Sequence, residues 1–412
     1  MLFNSFVFLG VLLPVTLLAF WAAERLRIQS LTTGVLLAAS LVYYGYWDYR
    51  FLWLICGSIL VNYWLALMLQ EVRARRRDGA TALLSVGIGV NLAPLAYYKY
   101  ADFALSSVGA VPVDGSLPAL ILPLGISFFT FQQIAYLVDV RRGVTAERRF
   151  LDYALFVTFF PQLIAGPIVH YKETLPQFRR FGTVGLKLSN LAVGLTIFAI
   201  GLFKKTVIAD GIATVSTPVF LAAGQGSEPD LLQAWSGALA YSFQLYFDFS
   251  AYSDMAIGAA RMFGVRLPIN FHAPYRATSV IDFWRRWHIT LSRFLRDYVY
   301  IPLGGNRGRF GARYRNMLLT MLIGGLWHGA GWTFVLWGGL HGLFLVANHL
   351  WRRITGGLGT GAAARWTGRV LTFLVVVIAW VPFRAEDFDT ALRIWSGMAG
   401  LNGLILPQSL VG

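Results

Sequence analysis

MLIGGLWHGAG, residues 321–331, places one ionisable side chain, His328, in the middle of an apolar run. Met317, Leu318, Leu319, Met321, Leu322 and Ile323 lead in, and Trp332, Phe334, Val335, Leu336 and Trp337 lead out. An ionisable group at such depth is costly and marks a functional site by default. Glycines at 324, 325, 329 and 331 remove side-chain bulk, so a second backbone or a substrate can approach the imidazole. A second reading is a helix-packing face, with glycines at the contact and the histidine bonded to a neighbour. The spacing alone leaves both open.

Composition extends the membrane reading to the whole chain. Of 412 residues, 57% are hydrophobic and 13% charged, against roughly 25% charged in a soluble domain. The depletion runs from end to end, which predicts one polytopic membrane body over residues 1–412. Cys56 is the only cysteine, which excludes an internal disulfide and a cysteine-based metal site. The net charge of +15 comes from basic residues lying between apolar runs. That placement points to cytoplasmic loops facing anionic lipid rather than to nucleic acid. Met1–Ser5 lacks Lys and Arg, and the first apolar run is long for a signal peptide, so a retained helix with its N-terminus outside is expected.

Hydropathy predicts crossings at about 6–23, 31–46, 52–70, 82–98 and 120–140. Arg25 and Arg27, then Arg73, Arg75, Arg76 and Arg77, then Arg141, Arg142, Arg148 and Arg149 all fall on the cytoplasmic side in that orientation. The segment with Asp102 and Asp114 falls outside. FVTFFPQLIAGPI, 156–168, is short, broken by Pro161, Gly166 and Pro167, and reads as re-entrant; such backbone survives at membrane depth only under cover of protein or a cavity. Further crossings are expected at 186–203, ending at Lys204 and Lys205, and at 231–249. The second leads into FDFSAYSDMAIG, where Asp248 and Asp254 read either as caps and ion-pair partners or as cavity residues.

Residues 263–315 interleave Arg266, Arg276, Arg285, Arg286, Arg293, Arg296, Arg307, Arg309 and Arg313 with aromatics, the pattern of helices lying in the membrane interface. YVYIPLGGNR, 298–307, reads as a turn. Crossings at 334–350 and 370–381 follow, and no crossing is assigned to 394–412. The fold class is all-α and polytopic, with roughly nine to eleven spanning helices plus re-entrant and interfacial pieces. No internal repeat is evident, which weighs against an inverted-repeat transporter.

His288 precedes His328 by forty residues, in FWRRWHITLSRFLRDY. If that segment folds back, the two imidazoles can share one cavity. No HExxH and no third ligand at recognisable spacing accompany them, so no metal is expected. A serine-hydrolase elbow, a Walker loop and a Rossmann fingerprint are absent too. What remains is a desolvated neutral histidine acting as general base on a hydroxyl that attacks an activated acyl group. His341 is a further candidate for the same cavity, whereas His170, His272 and His349 read as structural.

The stretches FFPQLIAGPI (159–168), QLYFDFSAYSDMAIG (244–258), NFHAPY (270–275), FWRRWHITLSRFLRDYVYIPLGGNRG (283–308) and LIGGLWHGAGWTFVLWGGLHG (322–342) resemble the membrane-bound O-acyltransferase family, and within it the bacterial alginate O-acetyltransferase branch. The resemblance covers Ser127 to Arg384. It implies a ring of tilted helices around a central funnel, with His328 and His288 as the active-site pair. It further implies acetyl-CoA as cytoplasmic donor, with no bound cofactor. The acetyl group would leave through a periplasmic or membrane-anchored acetyltransferase partner to an exported polysaccharide, from the bacterial inner membrane. Arg285, Arg286, Arg293 and Arg296 are then candidates for the phosphates of coenzyme A, and Asp248 and Asp254 for shaping the cavity or holding a histidine tautomer. D-alanyl transfer to teichoic acid is the alternative within the family. A transporter and a non-catalytic scaffold are the alternatives outside it. Relatives usually continue past the WVPFRAEDFDTA-like segment, so a short or truncated C-terminus is expected here.

Overall fold

The computed structural model describes residues 1–75, 77–109, 121–164, 166–183, 185, 187–307, 310–356 and 361–405. Arg76, Asp114, Leu120, Ala165, Leu186, Gly308, Arg309 and the end of LNGLILP lie outside the described residues. Among the described residues every regular element is helical. Among the described residues, six helices are long and apolar enough to cross a membrane: Phe8–Arg25, Tyr49–Arg75, Gly79–Ser107, Leu188–Gly224, Trp332–Thr355 and Ala362–Arg384. Large apolar side chains such as Val15, Leu18, Trp53, Val86, Ile200, Leu343 and Leu371 stand exposed along them. Apolar surface presented in this way along long helices requires lipid as its solvent. The chain is a multi-pass membrane protein.

Two compact units divide the chain, one of residues 1–202 with 252–268, the other of residues 203–251 with 269–412. The first contains the broken segment read as re-entrant. Helix Phe150–Thr158 stops at Phe159, and a single turn, Phe160–Leu163, resumes. The break removes a ladder bond, because the Phe160 N–H donates to Ser40 Oγ at 3.1 Å. The Phe156 carbonyl accepts instead from Gln132 Nε2 at 2.8 Å and Gln162 Nε2 at 2.7 Å. All of these residues are buried, so side chains replace the backbone partners that water would otherwise supply. Replacing both glutamines by leucine is expected to lower stability by about 1–3 kcal/mol by orphaning that carbonyl, read as a lower unfolding midpoint in detergent.

Three of the boundaries that differ from the hydropathy reading have a clear physical cause. The helix expected from residue 120 begins at Ile126, after Gly125, whose φ of 70° places it in the left-handed region. A Cβ there would lie 2.9 Å from the Leu163 carbonyl oxygen, so bulk is excluded as well. The crossing expected to end at Lys204 continues through a wide turn, Lys204–Ala209, into Asp210–Gly224. Lys205 is tolerated within it because Asp210 and Asp248 each lie 2.7 Å from its ammonium. The crossing expected to end at Phe249 runs on to Met262 as one helix, Leu231–Met262, through both aspartates.

In the second unit, helices Phe310–His328 and Trp332–Thr355 form a tight hairpin. A Cβ on Gly325 would collide with the Phe334 carbonyl, and one on Gly338 with the Met321 carbonyl. The backbones touch because both residues are glycine. A C-terminal amphipathic helix, Phe388–Met398, is capped by Asp387, which accepts from Thr390 N at 2.7 Å. It is tied down by Arg393 to the Ala223 carbonyl at 3.1 Å and by Trp235 to the Met398 carbonyl at 2.9 Å.

Candidate active site

The arginine-rich segment does fold back. His272 N donates to the Arg286 carbonyl and Ile289 N to the Asn270 carbonyl, both at 2.9 Å, clamping NFHAPY against the stretch that carries His288. His288 stands between two short helices, Val280–Trp284 and Ile289–Leu295. Its φ is 42°, a left-handed conformation that costs a non-glycine residue about 1–3 kcal/mol and persists where the surroundings over-determine it. The ring is 1% exposed. Nδ1 lies 3.1 Å from Asn270 Oδ1, and Nε2 is buried with no hydrogen-bond partner among the described residues. Phe249, Trp327 and Phe271 surround it, at 4.7, 5.9 and 6.5 Å between ring centroids. Burial first, and then the neighbouring His328, push its pKa well below the usual histidine range, so the ring is neutral.

His328 ends its helix, just before the glycine-rich link at 329–331. Trp327, Trp337 and Phe383 pack on it at 4.8, 5.0 and 5.1 Å. Its ring centroid is 6.5 Å from that of His288. The two imidazoles are therefore brought together, as their motifs implied. The central glycines serve packing: Gly325 lets the two helices touch, and Gly329 leaves the space that the Phe334 ring fills.

The other candidates separate. His341 is fully buried on the following helix, 4.9 Å from Trp337, which itself packs on His328. One indole thus touches both imidazoles, and Trp284, Phe283, Phe344 and Trp380 also pack on His341. Arg286 is held by Asp282 at 2.9 Å and Arg296 by Asp297 at 2.7 Å, whereas Arg285 is exposed and Arg293 half-buried. Asp248 pairs with Lys205 at 2.7 Å. Asp254 is half-buried and belongs to the first compact unit. His349 lies 2.9 Å from an Arg313 nitrogen, and the His170 N–H donates to Glu173 at 3.2 Å at a helix start. His272 sits in the loop before Pro274.

Residue-by-residue reading missed Asn270, although its motif was in view, because nothing in the sequence shows which side chain meets His288. It also missed Phe249, Trp337 and Phe383, which stand in or at the end of apolar runs and carry no mark of a site in the sequence.

The chain is thus a multi-pass helical protein in which two imidazole centroids lie 6.5 Å apart among aromatic side chains. In comparison with known proteins, residues 147–381 match the model of MBOAT, the membrane-bound O-acyltransferase family. The chain belongs to that family and is an acyltransferase. It is 43% identical to the peptidoglycan O-acetyltransferase of Helicobacter pylori, over 98% of this chain and 81% of that one. It is 44% identical to the "Probable alginate O-acetylase AlgI" of Pseudomonas aeruginosa, over 97% and 75% of the two chains. The teichoic acid D-alanyltransferase of Bacillus subtilis is 25% identical over 94% and 98%.

Proposed function

We propose that this protein passes acetyl groups from cytoplasmic acetyl-CoA through the membrane, for O-acetylation of an exported polysaccharide such as alginate. The observation that carries the reading is the pair of imidazoles 6.5 Å apart. A direct hydrogen bond of about 2.9 Å between two imidazoles would bring their centroids to roughly 5 Å. The wider spacing leaves room for the oxygen of a reacting hydroxyl. His328 takes the hydroxyl proton as general base while that oxygen attacks the thioester carbonyl carbon. The C–S bond then breaks, and the departing thiolate recovers the proton from His328. The reaction needs no redox partner. Both compact units belong, in this reading, to one catalytic domain, with the helices ringed around a funnel, about nine to eleven of them crossing the membrane.

The relatives named as O-acetyltransferase or O-acetylase support acetyl over D-alanyl as the group moved, since they are 42–44% identical and the D-alanyltransferases 25–27%. The naming of one relative for peptidoglycan makes that glycan a second candidate acceptor. The inner membrane, a periplasmic or membrane-anchored partner acetyltransferase, and phosphate contacts from Arg285, Arg286, Arg293 and Arg296 complete the proposal. Mass analysis of alginate-type polymer and peptidoglycan from cells with and without the gene tests it. Acetyl esters lost from either glycan on deletion support the reading. D-alanyl esters lost instead, or no ester lost, overturn it. His288→Ala is expected to lower transfer by about 100-fold through lost positioning of the substrate beside His328, measured as ester content per membrane-inserted protein.

A further inference from the structure

Asn270 does more than pack. It is 1% exposed, and its side-chain oxygen lies 3.3 Å from Thr290 N, 2.9 Å from Thr290 Oγ1 and 3.1 Å from His288 Nδ1. A backbone N–H can only donate, so the Thr290 N–H identifies the atom it meets as the carbonyl oxygen and not the amide nitrogen. Flipping the amide would set two donors against each other. An oxygen of this kind only accepts, so His288 Nδ1 carries the hydrogen. A neutral imidazole has one N–H, which leaves a lone pair on Nε2. That atom is buried and without a hydrogen-bond partner among the described residues. The tautomer therefore follows from one backbone amide, without reference to activity.

We infer that Asn270 is a positioning residue for acyl transfer: it fixes His288 as the Nδ1–H tautomer and so presents Nε2 to the substrate as a hydrogen-bond acceptor. His288 then receives a hydrogen bond from a substrate N–H, or from an O–H other than the attacking one, whose single hydrogen goes to His328, and holds that substrate beside His328. In this state it does not donate to the thioester carbonyl. The left-handed backbone at His288 contributes to the same end, since Ile289 N is held by the Asn270 carbonyl at 2.9 Å and the ring is aimed by the same residue that sets its proton. The inference rests on the proposed acyl-transfer function for its consequence, but not for the tautomer.

Two variants and one spectrum test it. Asn270→Leu removes the acceptor, and transfer is expected to fall about 10- to 100-fold, the usual cost of losing a group that orients a functional histidine. Asn270→Asp keeps an acceptor and is expected to retain more activity than the leucine variant. Its carboxylate favours the imidazolium, so the His288 pKa rises and the acid limb of the kcat/KM profile moves to higher pH. The other groups facing the ring do not supply such a charge. Phe249, Phe271 and Trp327 are uncharged, Asp248 on the Phe249 helix is paired with Lys205, and His328 is the titratable neighbour. A merely structural asparagine predicts parallel losses in both variants and no movement of the acid limb. Nitrogen-15 spectra of imidazole-labelled wild-type protein in detergent, with His288 identified by its loss in His288→Gln, read the tautomer directly. A protonated Nδ1 and bare Nε2 support the inference, and a protonated Nε2 overturns it. Wild-type kcat/KM in a folded Asn270→Leu overturns the positioning role. Retained transfer in His328→Ala would instead remove the functional reading while leaving the spectrum informative.

Discussion

His328→Ala is expected to abolish acetyl-ester formation on the exported glycan while the protein still inserts and folds. Loss of a positioned general base costs about 100- to 10,000-fold, and the described site offers no equivalent substitute. Burial holds the His288 pKa well below the usual histidine range, which makes its open Nε2 a weak base, and His341 is caged by aromatic rings. Folding is expected to survive because His328 is only partly buried and stands at a helix end, outside the backbone contacts made by Gly325 and Gly338. His328→Gln preserves more of the packing against Trp327, Trp337 and Phe383 and should be equally inactive. Ester content of the polymer, divided by membrane-inserted protein measured by size-exclusion chromatography, checks both. Near-normal acetylation in either variant would contradict the assignment.

Gly338→Ala is expected to give a large loss of stability. Its new methyl would overlap the Met321 carbonyl and crowd the Leu322 Cα, which is 3.2 Å from the added atom. Neither is the end of a flexible side chain, so the helices themselves must separate. Overpacking of this kind costs about 1–3 kcal/mol where side chains can adjust, and a backbone clash lies at or above the upper end. Gly325→Ala meets the Phe334 carbonyl from the other helix and should behave alike. Gly57 provides the contrast, because a Cβ there meets nothing within 4 Å. Gly57→Ala should leave the unfolding midpoint unchanged or raise it, since alanine is favoured over glycine in a helix by about 1 kcal/mol. Tryptophan fluorescence during thermal unfolding in detergent separates the two outcomes. Equal midpoints for Gly338→Ala and Gly57→Ala would contradict the tight-hairpin account.

The membrane character was legible because lipid imposes long apolar runs, and the first, third and fourth runs correspond to helices at Phe8–Arg25, Tyr49–Arg75 and Gly79–Ser107. The extension past Lys205 was not, because the carboxylates that hold its ammonium are five and forty-three residues away and only the folded chain brings both to it. For the same reason the Leu231–Met262 helix outran its apolar part, with Asp248 paired rather than terminating it. The broken segment at Phe159 was legible from its prolines and glycine, but not the glutamine side chains that satisfy its backbone. The histidine pair was legible from motif resemblance. Its aromatic walls and Asn270 were not, because an amide or a ring acquires its role only from the atoms beside it.

The most direct test gives purified wild-type protein and a His288→Ala/His328→Ala variant, reconstituted in liposomes, radiolabelled acetyl-CoA on the face of the basic loops and an acetyl-accepting glycan with its partner acetyltransferase on the other. Label appearing in the glycan with wild-type protein, and falling to background with the double variant, is the predicted result. Equal transfer by both proteins would contradict the claim that the two imidazoles form the acyl-transfer centre.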